Sequence, residues 1–283
     1  MARLRGYFVR QLINPTVIRR AAGIAVATAG ATALTAVLTL ASATGASAML
    51  MPPAPLTGVL TVPAQAAVPA TESSGYTPAG RTLREGMHGA DVRRLQERLA
   101  QLKYYPGPRD GNFGPDTLEA VWAFQEVQRI PVTGVIGKRM DWRLAHPAPP
   151  RPLIRHGAPL RVEVDLRHEV LYVYHHGQIV LISHISSGGG YYYCSAGSCS
   201  RAITPTGNFH TQWRVHGWHT APLGLLYNPV FFYGGFAIHG SYEISHLGRP
   251  ASHGCVRLDP GNAAILFGLV QREGMGATTS VIH

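Results

Sequence analysis

The chain has 283 residues, with 25 Lys plus Arg against 15 Asp plus Glu and a formal net charge of +10. That length holds two modest domains beyond a targeting segment. Five of the positive charges (Arg3, Arg5, Arg10, Arg19 and Arg20) precede Ala21, so the remainder is only mildly basic, and no basic run is interleaved with aromatics as nucleic-acid binding would require.

Residues 1–20 carry positive charge alone, and no charged residue follows between Ala21 and Glu72. Ala21–Ala48 is apolar and ends in the small-residue site Ala46-Ser47-Ala48, the pattern of an export signal. The apolar stretch exceeds the usual signal core, so residues 1–48 read as a signal peptide or an N-terminal membrane anchor. Either places the following domains outside the cytoplasm, in the cell wall or periplasmic space. Residues 49–80 hold Pro52, Pro53, Pro55, Pro63, Pro69 and Pro78 among Ala, Thr and Ser, a disordered, extended Pro/Ala-rich linker.

Residues 81–145 change character. Val92, Leu95, Leu99 and Leu102 recur at helical spacing. Leu118, Val121, Trp122 and Phe124 mark a second helix opening at Pro115-Asp116, and a short third helix follows the Ile130–Gly137 loop. The loop Asp110-Gly111-Asn112-Phe113-Gly114, with Leu95-Gln96, Thr117 and Phe124-Gln125 around it, resembles the small three-helix peptidoglycan-binding domain. The resemblance implies contacts to glycan or stem peptide, for which Tyr104, Tyr105 and Phe113 are candidates.

Residues 146–157 form a Pro-rich linker, and 158–283 form a second domain. Arg161–Arg167 and Val170–Tyr174 alternate apolar and polar residues, and Gln178–His184 follows a His-His-Gly turn, which is meander patterning. Asn262–Gln271 reads as a helix. The fold expected is a mainly β domain, a sandwich or barrel of short strands with a C-terminal helix, beside the small all-α unit.

There are three cysteines: Cys194, Cys199 and Cys255. An odd count in an exported chain suggests one disulfide and one free thiol. Cys194 and Cys199 lie close together in a Gly/Ser/Tyr-rich loop and are the natural pair in an oxidising compartment, which leaves Cys255 free.

Cys255 lies in Ile238–Leu258, IHGSYEISHLGRPASHGCVRL. A thiol with His239 and His253 nearby in sequence is the minimum kit for cysteine acyl transfer: an imidazole takes the proton and leaves the nucleophilic thiolate. Gly254 lets backbone approach a reacting carbonyl, with amides beside the nucleophile facing the oxyanion. His239-Gly240, the spacer, Ser252-His253-Gly254-Cys255 and then Val256-Arg257 resemble the L,D-transpeptidase catalytic domain of bacterial cell walls, as does Thr204-Pro205-Thr206-Gly207-Asn208-Phe209.

The resemblance implies 3→3 cross-linking of peptidoglycan stem peptides through an acyl group on Cys255, or L,D-carboxypeptidase activity if water is the acceptor. It implies no cofactor or metal, and capture by β-lactams of the carbapenem type. His239 is then the base, with its tautomer fixed by the Gly240 carbonyl, and His253 supports the site or binds substrate. Arg257 is a candidate for a substrate carboxylate or a structural ion pair. Ser252, Tyr227, Phe232 and Tyr233 are candidate pocket residues. Two other readings are a metallopeptidase using His210, His216 and His219, which lacks an accompanying carboxylate motif, and a non-catalytic wall-anchoring protein.

Overall fold

The computed structural model describes residues 75–195 and 197–282. The expected signal or anchor and most of the proline spacer lie outside the described residues. Among the described residues, no helix is long and apolar enough to cross a membrane.

The described residues open with three helices: α1 (Ala90–Gln101), α2 (Pro115–Val127) and α3 (Lys138–Ala145). Proline at the first position opens α2, where its missing N–H costs nothing. Two buried glutamines tie the loops to the helices. Gln96 Oε1 accepts from the Gly111 amide at 2.8 Å, and its Nε2 donates to the Asn112 carbonyl and Thr117 Oγ1. Gln125 Oε1 accepts from the amides of Thr133 and Gly134. The glutamines and the Asp-Gly-Asn-Phe-Gly loop are therefore framework. Tyr104 and Phe113 are framework too: each is 2% exposed in the helical core, so neither is available to a glycan. Tyr105 is half-buried against the β-domain core.

Twelve strands follow: β1 (Leu160–Asp165), β2 (Val170–His175), β3 (Gln178–His184), β4 (Tyr192–Ser195), β5 (Ser198–Arg201), β6 (Gly207–His210), β7 (Trp213–Arg214), β8 (Trp218–Ala221), β9 (Gly224–Tyr233), β10 (Phe236–Gly240), β11 (Val256–Leu258) and β12 (Thr278–Ile282). One sheet has the order β3-β2-β1-β12-β6 and a second the order β11-β10-β9-β7, with β8 also on β9; β4 and β5 form a separate hairpin. The helix α4 (Pro260–Glu273) opens on Asp259, whose carboxylate accepts from the amides of Gly261 and Asn262 and so caps it.

Strand alternation sorts the side chains into two cores. Val162, Val164, Leu171 and Val173 of the first sheet meet Val230, Phe232, Ile238 and Val256 of the second, together with Leu266 and Val270 of α4. The opposite face of the first sheet is not left to water. Val170, Tyr172, Tyr174 and Ile182 join the core of the helical unit. Arg161 and Glu163, which alternate with the inward valines on β1, pair at 2.7 Å while buried, and the Arg161 guanidinium lies 3.8 Å over the Tyr174 ring. The proline-rich segment between the units is pinned at both ends: Gln128 exchanges hydrogen bonds with Ala148, and the Leu153 amide donates to Glu163.

Candidate active site

The site is built where β10 and β11 run side by side. They pair in parallel, Ile238 opposite Val256 and His239 opposite Arg257, which brings Cys255 at the entry to β11 alongside Ala237 near the start of β10. A cavity of about 480 Å³ opens there, lined by Cys255, His239, His253, Ser252 and Arg257 among others.

His239 is 4% exposed. Its Nδ1 lies 2.8 Å from the Gly240 carbonyl, which requires a proton on Nδ1 and leaves Nε2 as the basic nitrogen. Burial pushes the imidazole down to about 4, against the opposing pull of the Gly240 carbonyl. Burial also pushes the Cys255 thiol up, opposed by a hydrogen bond from the Ala237 backbone and by the charge of Arg257. The thiol packs against a small apolar cluster of Leu226, Phe231 and Ala237. Both shifts favour the uncharged forms, a thiol and a neutral imidazole lining one cavity, with the thiol directed to the Gly235 carbonyl at 3.9 Å.

The loop that carries the cysteine is held by polar contacts. Gly254 has φ +127°, and a Cβ there would stand 2.5 Å from the Phe236 ring and 2.9 Å from the Ile203 carbonyl, so only glycine fits. The Gly254 amide donates to Ser252 Oγ, and Ser252 Oγ donates to the Cys255 carbonyl at 2.6 Å. Ser252 thus shapes the loop, its hydroxyl engaged there rather than turned to a substrate. The amides of Ala251 and Ser252 donate to the Ser187 carbonyl, and Ser187 in turn hydrogen-bonds the buried Glu169 carboxylate through amide and hydroxyl. Thr204, from the Thr-Pro-x-Gly turn, accepts from the Gly188 amide in the same segment.

His253 lines the cavity with two tyrosine rings set edge-on to it, Tyr193 at 4.8 Å and Tyr191 at 5.4 Å. Burial and then the charge of Arg257 push its imidazole down. Arg257 Nη1 donates to Glu243 Oε2, so the guanidinium already has an ion-pair partner inside the cavity lining.

Three expected pocket residues are elsewhere. Phe232 is 1% exposed in the inter-sheet core, and its neighbour Phe231 lines the cavity instead. Tyr227 packs on Trp218 and the core, and Tyr233 lies against Phe209, both outside the cavity lining. Two hairpins that the sequence reading did not place at the site supply the missing walls. The turn of β8–β9 contributes Leu223 and Leu225, and β4–β5 contributes Tyr193, Ser195, Ser198 and Ser200. Cys194 and Cys199 stand opposite each other on that second hairpin and are joined in a disulfide, while Cys255 is free.

Among the described residues, one group of side chains has metal-ligand geometry: His175, His176 and Glu273, at the β2–β3 turn and the end of α4. None of the three lines the cavity, and His210, His216 and His219 do not meet in such a group.

Comparison with known proteins agrees with this architecture. The model of the L,D-transpeptidase catalytic domain matches residues 159–282, and that of a peptidoglycan binding domain matches residues 88–140. A crystallised L,D-transpeptidase from Xylanimonas cellulosilytica is 35% identical, covering 73% of this chain and 100% of that one, with a TM-score of 0.64. An L,D-transpeptidase from Stackebrandtia nassauensis is 24% identical over 73% of this chain and 97% of its own, with a TM-score of 0.40. One from Mycobacterium smegmatis is 21% identical over 45% and 60%, with a TM-score of 0.36. A stretch of 67 residues is 37% identical to part of the carboxy-terminal processing protease CtpB of Bacillus subtilis, 24% of this chain and only 14% of that protein. With the first of these relatives matched along its whole length, and with His239 and Cys255 brought into one cavity by the parallel pair that carries them, the chain belongs to the L,D-transpeptidase family.

Proposed function

We propose that Cys255 is the nucleophile of a peptidoglycan acyl transfer and that His239 is its base. The observation that carries this reading is the pinned tautomer: Gly240 holds Nδ1 as N–H, so Nε2 of a buried, neutral imidazole is free to take the thiol proton. The Gly240 carbonyl stands where a carboxylate or amide orients histidine in other triads.

The substrate is a tetrapeptide stem. The thiol attacks the carbonyl of its third residue, the proton moves through His239 to the departing D-alanine amine, and a thioester remains on Cys255. The side-chain amine of a second stem's third residue then takes the acyl group, giving a 3→3 cross-link. The Gly254 amide is engaged by Ser252, so the oxyanion donor falls to the amide of Cys255 itself rather than to that of Gly254. His253, fixed by two tyrosine edges, serves substrate binding and the electrostatics of the site. Carbapenem-type β-lactams enter as strained acyl donors and stay on the thiol. The helical unit holds the enzyme on the wall, which places the reaction outside the cytoplasm.

Intact-protein mass spectrometry after incubation with a tetrapeptide stem tests the proposal. Release of D-alanine with the remaining tripeptide mass retained on Cys255 is the expected result. Turnover without a covalent adduct in wild type, and undiminished turnover in Cys255→Ala, would overturn it.

A further inference from the structure

Among the described residues lining the cavity there is a single carboxylate, Glu243. It stands three residues beyond Gly240, in the segment that crosses from β10 to β11, and its amide donates to the hydroxyl of Ser241, another lining residue. Its two side-chain contacts among the described residues, from Arg257 Nη1 and from His246 Nδ1 at 3.3 Å, both end on Oε2. Oε1 accepts no hydrogen bond among the described residues. The Glu243 side chain is 53% exposed whereas that of Arg257 is 12% exposed, so solvent and ligands reach the carboxylate more readily than its partner.

Transfer between two stems needs two opposite recognitions in one cavity. The donor brings a terminal carboxylate, and the acceptor brings a primary amine that is an ammonium ion in water near neutral pH. Arg257 and Glu243 provide one charge of each sign. The Cys255 thiol, pushed up by burial, and the imidazoles of His239 and His253, both pushed down, supply no second negative charge to the lining.

Resting on the acyl-enzyme reading above, we infer that Glu243 is the acceptor-selecting residue: its carboxylate holds the cationic side-chain amine of the second stem and so favours that amine over water. The bound ammonium loses one proton to solvent. The neutral amine then attacks the thioester, the C–N bond forms as the C–S bond breaks, and the second amine proton passes through His239 to the leaving sulfur. Glu243 takes no part in forming the thioester.

The test separates the two half-reactions in the full chain. Acylation is followed by intact mass with a tetrapeptide donor, and the fate of the acyl group by the ratio of cross-linked product to hydrolysed tripeptide as a free-amine acceptor stem is raised. Glu243→Gln should raise the acceptor KM about three- to tenfold, as loss of a half-exposed charge contact does, and shift product toward hydrolysis. Glu243→Asp should restore part of the loss, and the salt dependence of the acceptor KM should disappear in Glu243→Gln. An unchanged acceptor KM and product ratio in Glu243→Gln overturns the inference. So does a parallel fall in acylation, which would mean that Glu243 acts through Arg257. A wild-type protein that never carries an acyl group overturns the acyl-enzyme reading itself, a result distinct from either.

Discussion

On the proposed mechanism, replacing His239 with alanine removes the group that takes the proton from Cys255. The thiol is pushed above its ordinary value of 9.0, chiefly by burial. A thiol of that ordinary value is ionised at pH 7 to the extent of about 1%, and a raised one less. Without the imidazole only this fraction reacts, whereas in wild type the neutral imidazole takes the proton as the thiol attacks, so His239→Ala should acylate more slowly at pH 7 by about 10²–10⁴, the range usual for loss of a general base.

The pH dependence carries more information than the rate at one pH. With the imidazole at about 4, wild type keeps its base unprotonated down to that value, and the acid limb of acylation should fall near pH 4 rather than 6.5. His239→Ala should instead gain about tenfold per pH unit as thiolate accumulates. His253→Ala should keep the shape of the wild-type profile at reduced height. The assay is the second-order rate of carbapenem acylation, followed by intact mass from pH 4.5 to 9. A wild-type acid limb near 6.5 would refute the burial argument. A near-normal His239→Ala, with a dead but pH-rescuable His253→Ala, would reverse the roles of the two histidines.

Three further outcomes are expected. Alkylation of the non-reduced protein should label one cysteine per chain, Cys255, and labelling of all three or of none would contradict the Cys194–Cys199 bridge. Glu119, 2% exposed and 3.9 Å from His184 without a hydrogen bond, is pushed up to about 9 by burial and by the nearby carboxylates of Asp259 and Asp116. Its raised value favours the fold fully only below the ordinary 4.5, and that contribution is lost as pH rises toward 9. Glu119→Gln should therefore match wild type near pH 4 in urea unfolding and exceed it by about 3 kcal/mol at pH 7, at about 1.4 kcal/mol per pH unit; a difference independent of pH refutes the assignment. Residues 81–145 expressed alone should sediment with purified peptidoglycan yet melt below the full chain, because Tyr172, Tyr174 and Ile182 no longer cover their core; sedimentation no greater than that of a control protein would count against wall binding.

Much of the fold was legible because its signals are local. Val92, Leu95 and Leu99 gave α1, alternation gave β1, the short apolar-aromatic run Val170–Tyr174 gave β2, and Pro115 marked the start of α2. The misplaced residues depend on information that is not local. Whether Phe231 or Phe232 faces the cavity depends on strand parity, and the β9–β10 pairing carries irregularities between Phe236 and Ala237 and between Ile238 and Gly240 that no residue pattern announces. Tyr104 and Phe113 looked like exposed aromatics in a turn-rich loop, and only the packing of that loop against α1 and α2 buries them. The hairpin β4–β5 reads as Gly/Ser/Tyr loop material, and its role as a cavity wall follows from where the sheets place it.

The spacing of the catalytic motif, opaque as a string, has a physical origin in the topology. His239 lies on β10 and Cys255 directly precedes β11, and these two strands pair in parallel within a sheet whose other pairings are antiparallel. Antiparallel neighbours can be joined by two residues, but parallel neighbours need a crossover of about a dozen or more to return the chain to the same end. The segment Ser241–Cys255 is that crossover. It contains one short 3₁₀ turn, Ile244–His246, and is tied down at its far end by the Ser187 carbonyl. A chain shortened there cannot set His239 opposite Arg257 without losing the register that brings thiol and imidazole together. The middle of the crossover is held as well, the Gly248 amide donating to the Ile185 carbonyl and Ser186 Oγ to the Arg249 carbonyl, whereas its first residues after Gly240 lie along the cavity, and that is where Glu243 stands.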